Sequence, residues 1–136
     1  MVWSVNGAFV THPRNAAVST NDAATFTCAT DSTSSDPVLT WWNIAAGRTA
    51  LQTPSIAQFC KVRDVYTPVY HTERGAGVCN LIINSIQLTN AGTYVCQDAE
   101  DGAFSTAELV VLGKCSCAFS CADLIVSFAA IYMQLI

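Results

Sequence analysis

Charge is scarce in this chain. Only 12% of its 136 residues are Asp, Glu, Lys or Arg, against 51% hydrophobic, which excludes intrinsic disorder and a charge-rich, solvated architecture. Positive charge is scarcer still: six basic residues stand against ten acidic, for a net charge of -4 and a pI near 4.8. The counterion-release attraction that drives nucleic-acid binding is therefore missing, and no nucleic-acid partner is expected. Histidine is limited to His12 and His71, neither at a recognisable spacing from a nucleophile or carboxylate. There is no phosphate-binding glycine loop, no His-Glu-x-x-His and no Gly-x-Ser-x-Gly. The chain reads as a non-enzyme with no catalytic residue and no cofactor. Also missing are an Asn-x-Ser/Thr sequon and, over residues 1–7, the basic and apolar regions of a secretion leader.

What the chain does have is cysteine. Seven are dispersed from Cys28 to Cys121, unlike a compact metal knuckle, so no metal site is expected and an oxidising, extracellular setting, secreted or at the cell surface, is the better fit. Turn signals recur along the chain, and no stretch before residue 114 keeps an i, i+3, i+4 apolar stripe, which is the pattern of an all-β sandwich or barrel. Ala24, Phe26 and Cys28 alternate with threonines and face a core. After a polar loop ending at Pro37, Leu39 and Trp41 fall on one face of a strand, and Thr40, Trp42 and Ile44 on the other. Cys79, Leu81 and Ile83 alternate on a later strand, Tyr94 and Cys96 on the next, and Leu109 and Val111 follow the Asp101-Gly102 hairpin signal. The stretch from 52 to 77, broken by Pro54, Pro68 and Gly75-Ala76-Gly77, suits only short edge strands and loops.

Cys28, Trp41 thirteen residues on, Leu81-x-Ile83 and Asn90-x-Gly92-x-Tyr94-x-Cys96 form one long-range constellation. Two sheets stacked face to face can be bridged by a cysteine pair, an indole fills the space beside the bridge, and a tyrosine two residues before the second cysteine can return its hydroxyl to nearby backbone. In this the chain resembles the immunoglobulin superfamily over roughly residues 5 to 113. The resemblance implies a two-sheet Greek-key sandwich, a Cys28–Cys96 bridge, and a core signature of Trp41, Leu81 and Tyr94. The separation of 68 positions from Cys28 to Cys96 leaves room for the two extra strands of a variable-type (V-set) domain. Asn90 stands where the family pattern has an aspartate paired with an arginine, here Arg63, so that ion pair is not encoded. The double-glycine bulge of rearranging receptors is also absent from residues 103–107, which points to a non-rearranging immune-type or adhesion domain.

The expected organisation is a V-set domain over 1–113 and a Cys-rich hydrophobic tail over 114–136. Cys60 and Cys79 can form a second bridge between neighbouring strands, or stay buried thiols. Cys115, Cys117 and Cys121 have no assigned pairing, and an odd total leaves at least one thiol for another chain. Residues 124–136 carry no charge but are too few to span ~30 Å of hydrocarbon as a helix. The tail therefore reads as a lipid-anchor signal, a truncated membrane helix or a packed helix, and membrane association through it stays open.

With no chemistry encoded, binding is the expected role. One surface is the front sheet, where Thr40, Trp42, Ile44, Val95, Gln97, Glu108 and Val110 face outward as a docking face for a protein partner or a second copy. The other is the loop end, where Asp31, Asp36, Asp98, Glu100 and Asp101 can gather around a basic ligand or a cation. The two function classes are a recognition or adhesion module, in innate immunity among other settings, and a structural module that homo-oligomerises through its front sheet, tail and spare cysteines.

Overall fold

Period-two alternation of apolar and polar residues builds the molecule, a strand element at a time. The computed structural model describes residues 9–45, 55–100 and 102–113. Ten strands run in order: β1 Phe9–Thr11, β2 Ala16–Ser19, β3 Ala24–Thr30, β4 Leu39–Ala45, β5 Ala57–Gln58, β6 Lys61–Val62, β7 Tyr70–Gly75, β8 Val78–Ile83, β9 Gly92–Asp98 and β10 Phe104–Leu112. They form a four-stranded sheet ordered β1-β3-β8-β7 and a six-stranded sheet ordered β2-β10-β9-β4-β5-β6. Pro13, which lacks a backbone N–H, falls where the chain leaves the first sheet after β1 and enters the second as β2, parallel to β10. Every other strand pairing is antiparallel.

The alternating residues meet between the sheets. Phe26, Leu39, Trp41, Leu81, Ile83, Ile86, Tyr94 and Leu109 are essentially sealed from solvent. Sealing each such side chain contributes about 1.5–3 kcal/mol, the main favourable term of the fold. The Trp41 indole N–H donates to the Cys79 carbonyl at 3.3 Å, so this large donor is satisfied as well as buried. Cys28 and Cys96 are joined across the sheets with Cα atoms 6.5 Å apart.

A second bridge joins Cys60 to Cys79. It differs from the expected contact between neighbouring strands. The neighbours of β8 are β3 and β7, whereas Cys60 sits in the turn between β5 and β6 of the other sheet, so this bond also crosses from sheet to sheet. Since Cys28 is the direct cross-strand partner of Cys79, the two staples stand side by side.

Asn90 and Arg63 do not meet. Arg63 donates to the Ser55 carbonyl (2.8 Å), the Ser55 hydroxyl and Gln58 Oε1, while Asn90 Oδ1 accepts the Gln87 N–H at 2.7 Å in a capping box at the short 3-10 turn Leu88–Asn90. Tyr94 closes the corner instead, donating to the Asn90 carbonyl at 2.6 Å with the Tyr70 hydroxyl 3.2 Å away. Burial raises both phenols above the ordinary tyrosine value, Tyr94 the more strongly, because a phenolate there would lose its water. The tail over 114–136, with Cys115, Cys117 and Cys121, lies outside the described residues, as does Asp101. Among the described residues no helix is long and apolar enough to cross a membrane.

Candidate functional site

The loop between β3 and β4 is rich in serine, and those hydroxyls fold it. Thr30 Oγ1 accepts from Ser32 N, Ser32 Oγ from Ser34 N at 3.1 Å, and Ser34 Oγ from Asp36 N at 3.1 Å, a succession of side-chain turns that replaces a regular ladder. The β7–β8 turn clamps this loop from the side. Gly77 accepts from Thr30 N at 2.7 Å and donates to the Ser34 carbonyl at 3.1 Å. Its φ of +68 and a would-be Cβ only 2.4 Å from the Ser32 carbonyl oxygen leave glycine as the residue that fits.

The loop between β9 and β10 is tied to the first by Ala99 N donating to the Val38 carbonyl at 3.0 Å. That bond brings the acidic residues of both loops to one place. Asp31, Asp36, Asp98 and Glu100 line a cleft of about 330 Å³ whose other walls include Thr30 and Leu39. Asp31, Asp36 and Glu100 are exposed, as expected of loop residues. Asp98 is not: it is the last residue of β9, paired with Leu39 of β4, and only 6% exposed, with Gly102 N donating to its carbonyl at 2.8 Å. Asp98 Oδ1 accepts the Glu100 N–H at 2.9 Å. Among the described residues no cation pairs with Asp98, and the one ion pair at the cleft joins Asp36 to Arg74 at 3.7 Å, with both side chains exposed. The cleft is left with an excess of negative charge. No group of three or more His, Cys, Asp or Glu converges in metal-holding geometry among the described residues, so these acids are spread along a wall and do not form a chelating cage.

The front sheet is less open than its alternation suggested. Strand register places Thr40, Trp42 and Ile44 on one face with Gln97, Val95, Glu108 and Val110, in the pattern expected. Thr40 and Val95, however, are only 6% and 4% exposed, and Trp42, Ile44, Gln97, Glu108 and Val110 are half-buried. Val95 lies on a central strand between Trp42 and Thr106, and a small residue flanked by larger ones is shaded from solvent whichever way it points. Glu108 accepts from the Thr93 hydroxyl and is occupied within the sheet. The Trp42 indole N–H is buried without a hydrogen-bond partner among the described residues. The freely exposed aromatic of this face is Phe104, which the sequence reading did not single out, although it stands opposite Gln97 and is 60% exposed.

Phe59 was also missed. It is 48% exposed in the β5–β6 turn, where Phe59 and Cys60 both have left-handed backbones (φ 53 and 60). Neither is the Gly or Asn that normally announces such a turn, so the sequence carried no signal. The turn is held by the Cys60–Cys79 bridge, by Arg74 Nη2 donating to the Phe59 carbonyl at 2.7 Å, and by Thr72 Oγ1 donating to the Cys60 carbonyl at 2.8 Å. Arg74 therefore touches both the acidic loop and this turn. Of the two histidines, His12 Nδ1 lies 2.8 Å from Ser105 Oγ, and His71 Nδ1 lies 3.1 Å from Asn84 Nδ2.

Residues 14–108 match the family described as immunoglobulin domain. No curated protein matches. Among solved structures, the chain is similar to the I9–I11 tandem from titin, with a TM-score of 0.56 and 17% sequence identity over 78% of this chain and 33% of that one. The present chain thus spans about a third of the tandem, and at that identity the likeness speaks for the fold alone.

Proposed function

Since this chain belongs to the immunoglobulin domain family, we propose that it is a non-enzymatic, extracellular recognition module of the variable type that binds a basic group of a protein partner in its loop-end cleft. Members of this family act as binding or structural modules, and the two sheet-to-sheet disulfides suit an oxidising setting. The variable-type reading is supported by the two short strands β5 and β6 between β4 and β7. The observation that carries the ligand class is a cleft lined by Asp31, Asp36, Asp98 and Glu100, in which only Asp36 has a cation partner among the described residues. A guanidinium or ammonium brought there by a partner gains the attraction of several carboxylates at once. Adhesion and innate recognition are the settings such a module fits.

Calorimetric titration of the full chain with an arginine-rich peptide and an acidic peptide of equal length tests this. Binding of the first, weakened in Asp36→Asn/Glu100→Gln, is the expected result. Equal binding of both peptides, or of neither, would remove the ligand class. A second reading, structural self-association through the front sheet, is favoured by the unpartnered Trp42 indole. It requires that Trp42→Arg lower the mass measured in sedimentation.

A further inference from the structure

We infer that the occupant of the loop-end cleft is a second copy of this chain, whose β5–β6 turn enters it with Phe59 and Lys61. The inference rests on the reading of the cleft as the binding site and adds its partner.

The cleft asks for a cation that the described part of its own molecule does not supply, since Arg74 reaches only the exposed Asp36. The described basic residues are Arg14, Lys61, Arg63 and Arg74. Arg63 is held by Ser55 and Gln58, and Arg74 by Asp36 and the Phe59 carbonyl. The Lys61 and Arg14 side chains are both exposed with no hydrogen bond or ion pair among the described residues, and of the two it is Lys61 that stands two positions from the exposed Phe59. The exposed Phe59 ring offers apolar area to a partner, and the Lys61 ammonium beside it carries the charge that the cleft lacks. An open groove of about 440 Å³ runs alongside it, bordered by Gln58, Lys61 and Val62, with room for the rim of a partner loop.

Two further features favour self-contact. First, the turn is set in advance. Its left-handed residues are kept in place by a disulfide, by bonds from Arg74 and Thr72, and by the Cys60 N–H donating to the Leu39 carbonyl, so little ordering remains to be done on binding. Second, knob and cleft share one end of the domain, since a single arginine touches both Asp36 and the Phe59 carbonyl. Two neighbouring complementary patches on one face suit a two-fold contact, in which each copy inserts its turn into the other's cleft.

Charge exchange tests this in the full, oxidised chain by sedimentation equilibrium. Lys61→Glu and Asp31→Lys/Glu100→Lys alter only exposed side chains, and unchanged thermal midpoints confirm that both variants fold. Each alone should lose at least about tenfold in self-association, and an equimolar mixture should regain it, because both opposed contacts are again of unlike charge. Failure of the mixture to associate, or self-association that survives Lys61→Glu and is lost only in Trp42→Arg, overturns the inference. If the chain does not self-associate yet still binds the arginine-rich peptide, the partner is wrong and the cleft stands. If it does neither, both readings fall.

Discussion

Removing the second staple, with Cys60→Ala and Cys79→Ala together, probes how the Phe59 turn is held. The bridge closes a loop of 19 positions inside the longer loop closed by Cys28–Cys96. In the chain-entropy account that closure contributes about 3 kcal/mol, and alanine at two buried sites leaves a small cavity that adds to the loss. Relief of backbone strain pulls the other way, since left-handed residues such as Phe59 and Cys60 cost about 1–2 kcal/mol each. Whether that relief is realised depends on what else fixes the turn. The bonds from Arg74 and Thr72 and the β5–β6 pairing all survive the substitution, so the turn keeps its conformation and the full loss of about 3 kcal/mol should appear. For a domain of roughly this size that lowers the thermal midpoint by roughly 12–24 °C, within the 5–15 kcal/mol that such domains possess. Urea titration should show the transition moving to lower concentration with a steeper slope, because the unfolded chain without this cross-link is less compact and exposes more surface. A loss below about 1 kcal/mol would mean that the bridge imposes the turn, contrary to the reasoning above.

Three other outcomes follow from particular contacts. Gly77→Ala should cost at least about 2 kcal/mol, because the new methyl meets two backbone carbonyls and the φ of +68 disfavours any side chain; a neutral result in thermal denaturation would contradict the clamp on the β3–β4 loop. Tyr70 and Tyr94 have folded pKa values raised above their unfolded ones, so the stability they contribute is fully present below about pH 10 and is lost as pH climbs beyond it. Absorbance titration should then show these two phenols ionising only as the domain unfolds, and smooth ionisation with native circular dichroism would count against their burial. Asp98→Asn keeps an acceptor for the Glu100 N–H while removing a buried charge, so stability should hold or rise as affinity for the arginine-rich peptide falls. A fall in both would place Asp98 in the scaffold alone.

The places where sequence reasoning succeeded and failed divide along a physical line. Alternation fixes which face a residue takes, and Leu39 against Thr40, or Trp41 against Trp42, fell as expected because register propagates along a strand without outside help. Exposure is another matter, as it depends on neighbours from other strands. Thr40 and Val95 point outward in sequence terms yet are buried, and nothing in their own strands says that Trp42 and Thr106 flank Val95. The acidic loops came out as the resemblance implied: Asp31, Asp36, Asp98 and Glu100 line one cleft, because β4 pairs β9 at Leu39 and Asp98 and Ala99 N bonds the Val38 carbonyl, whereas the burial of Asp98 among them was not legible for the same reason as that of Val95. The Phe59 turn was invisible because its left-handed backbone is imposed by tertiary contacts, with no glycine to announce it. The core of this domain is thus written locally, in periods of two and in one cysteine pair. Its binding end is written in contacts among the four turns that Gly77, Arg74 and Ala99 join, so changes at those three joints should alter recognition while leaving the sandwich folded.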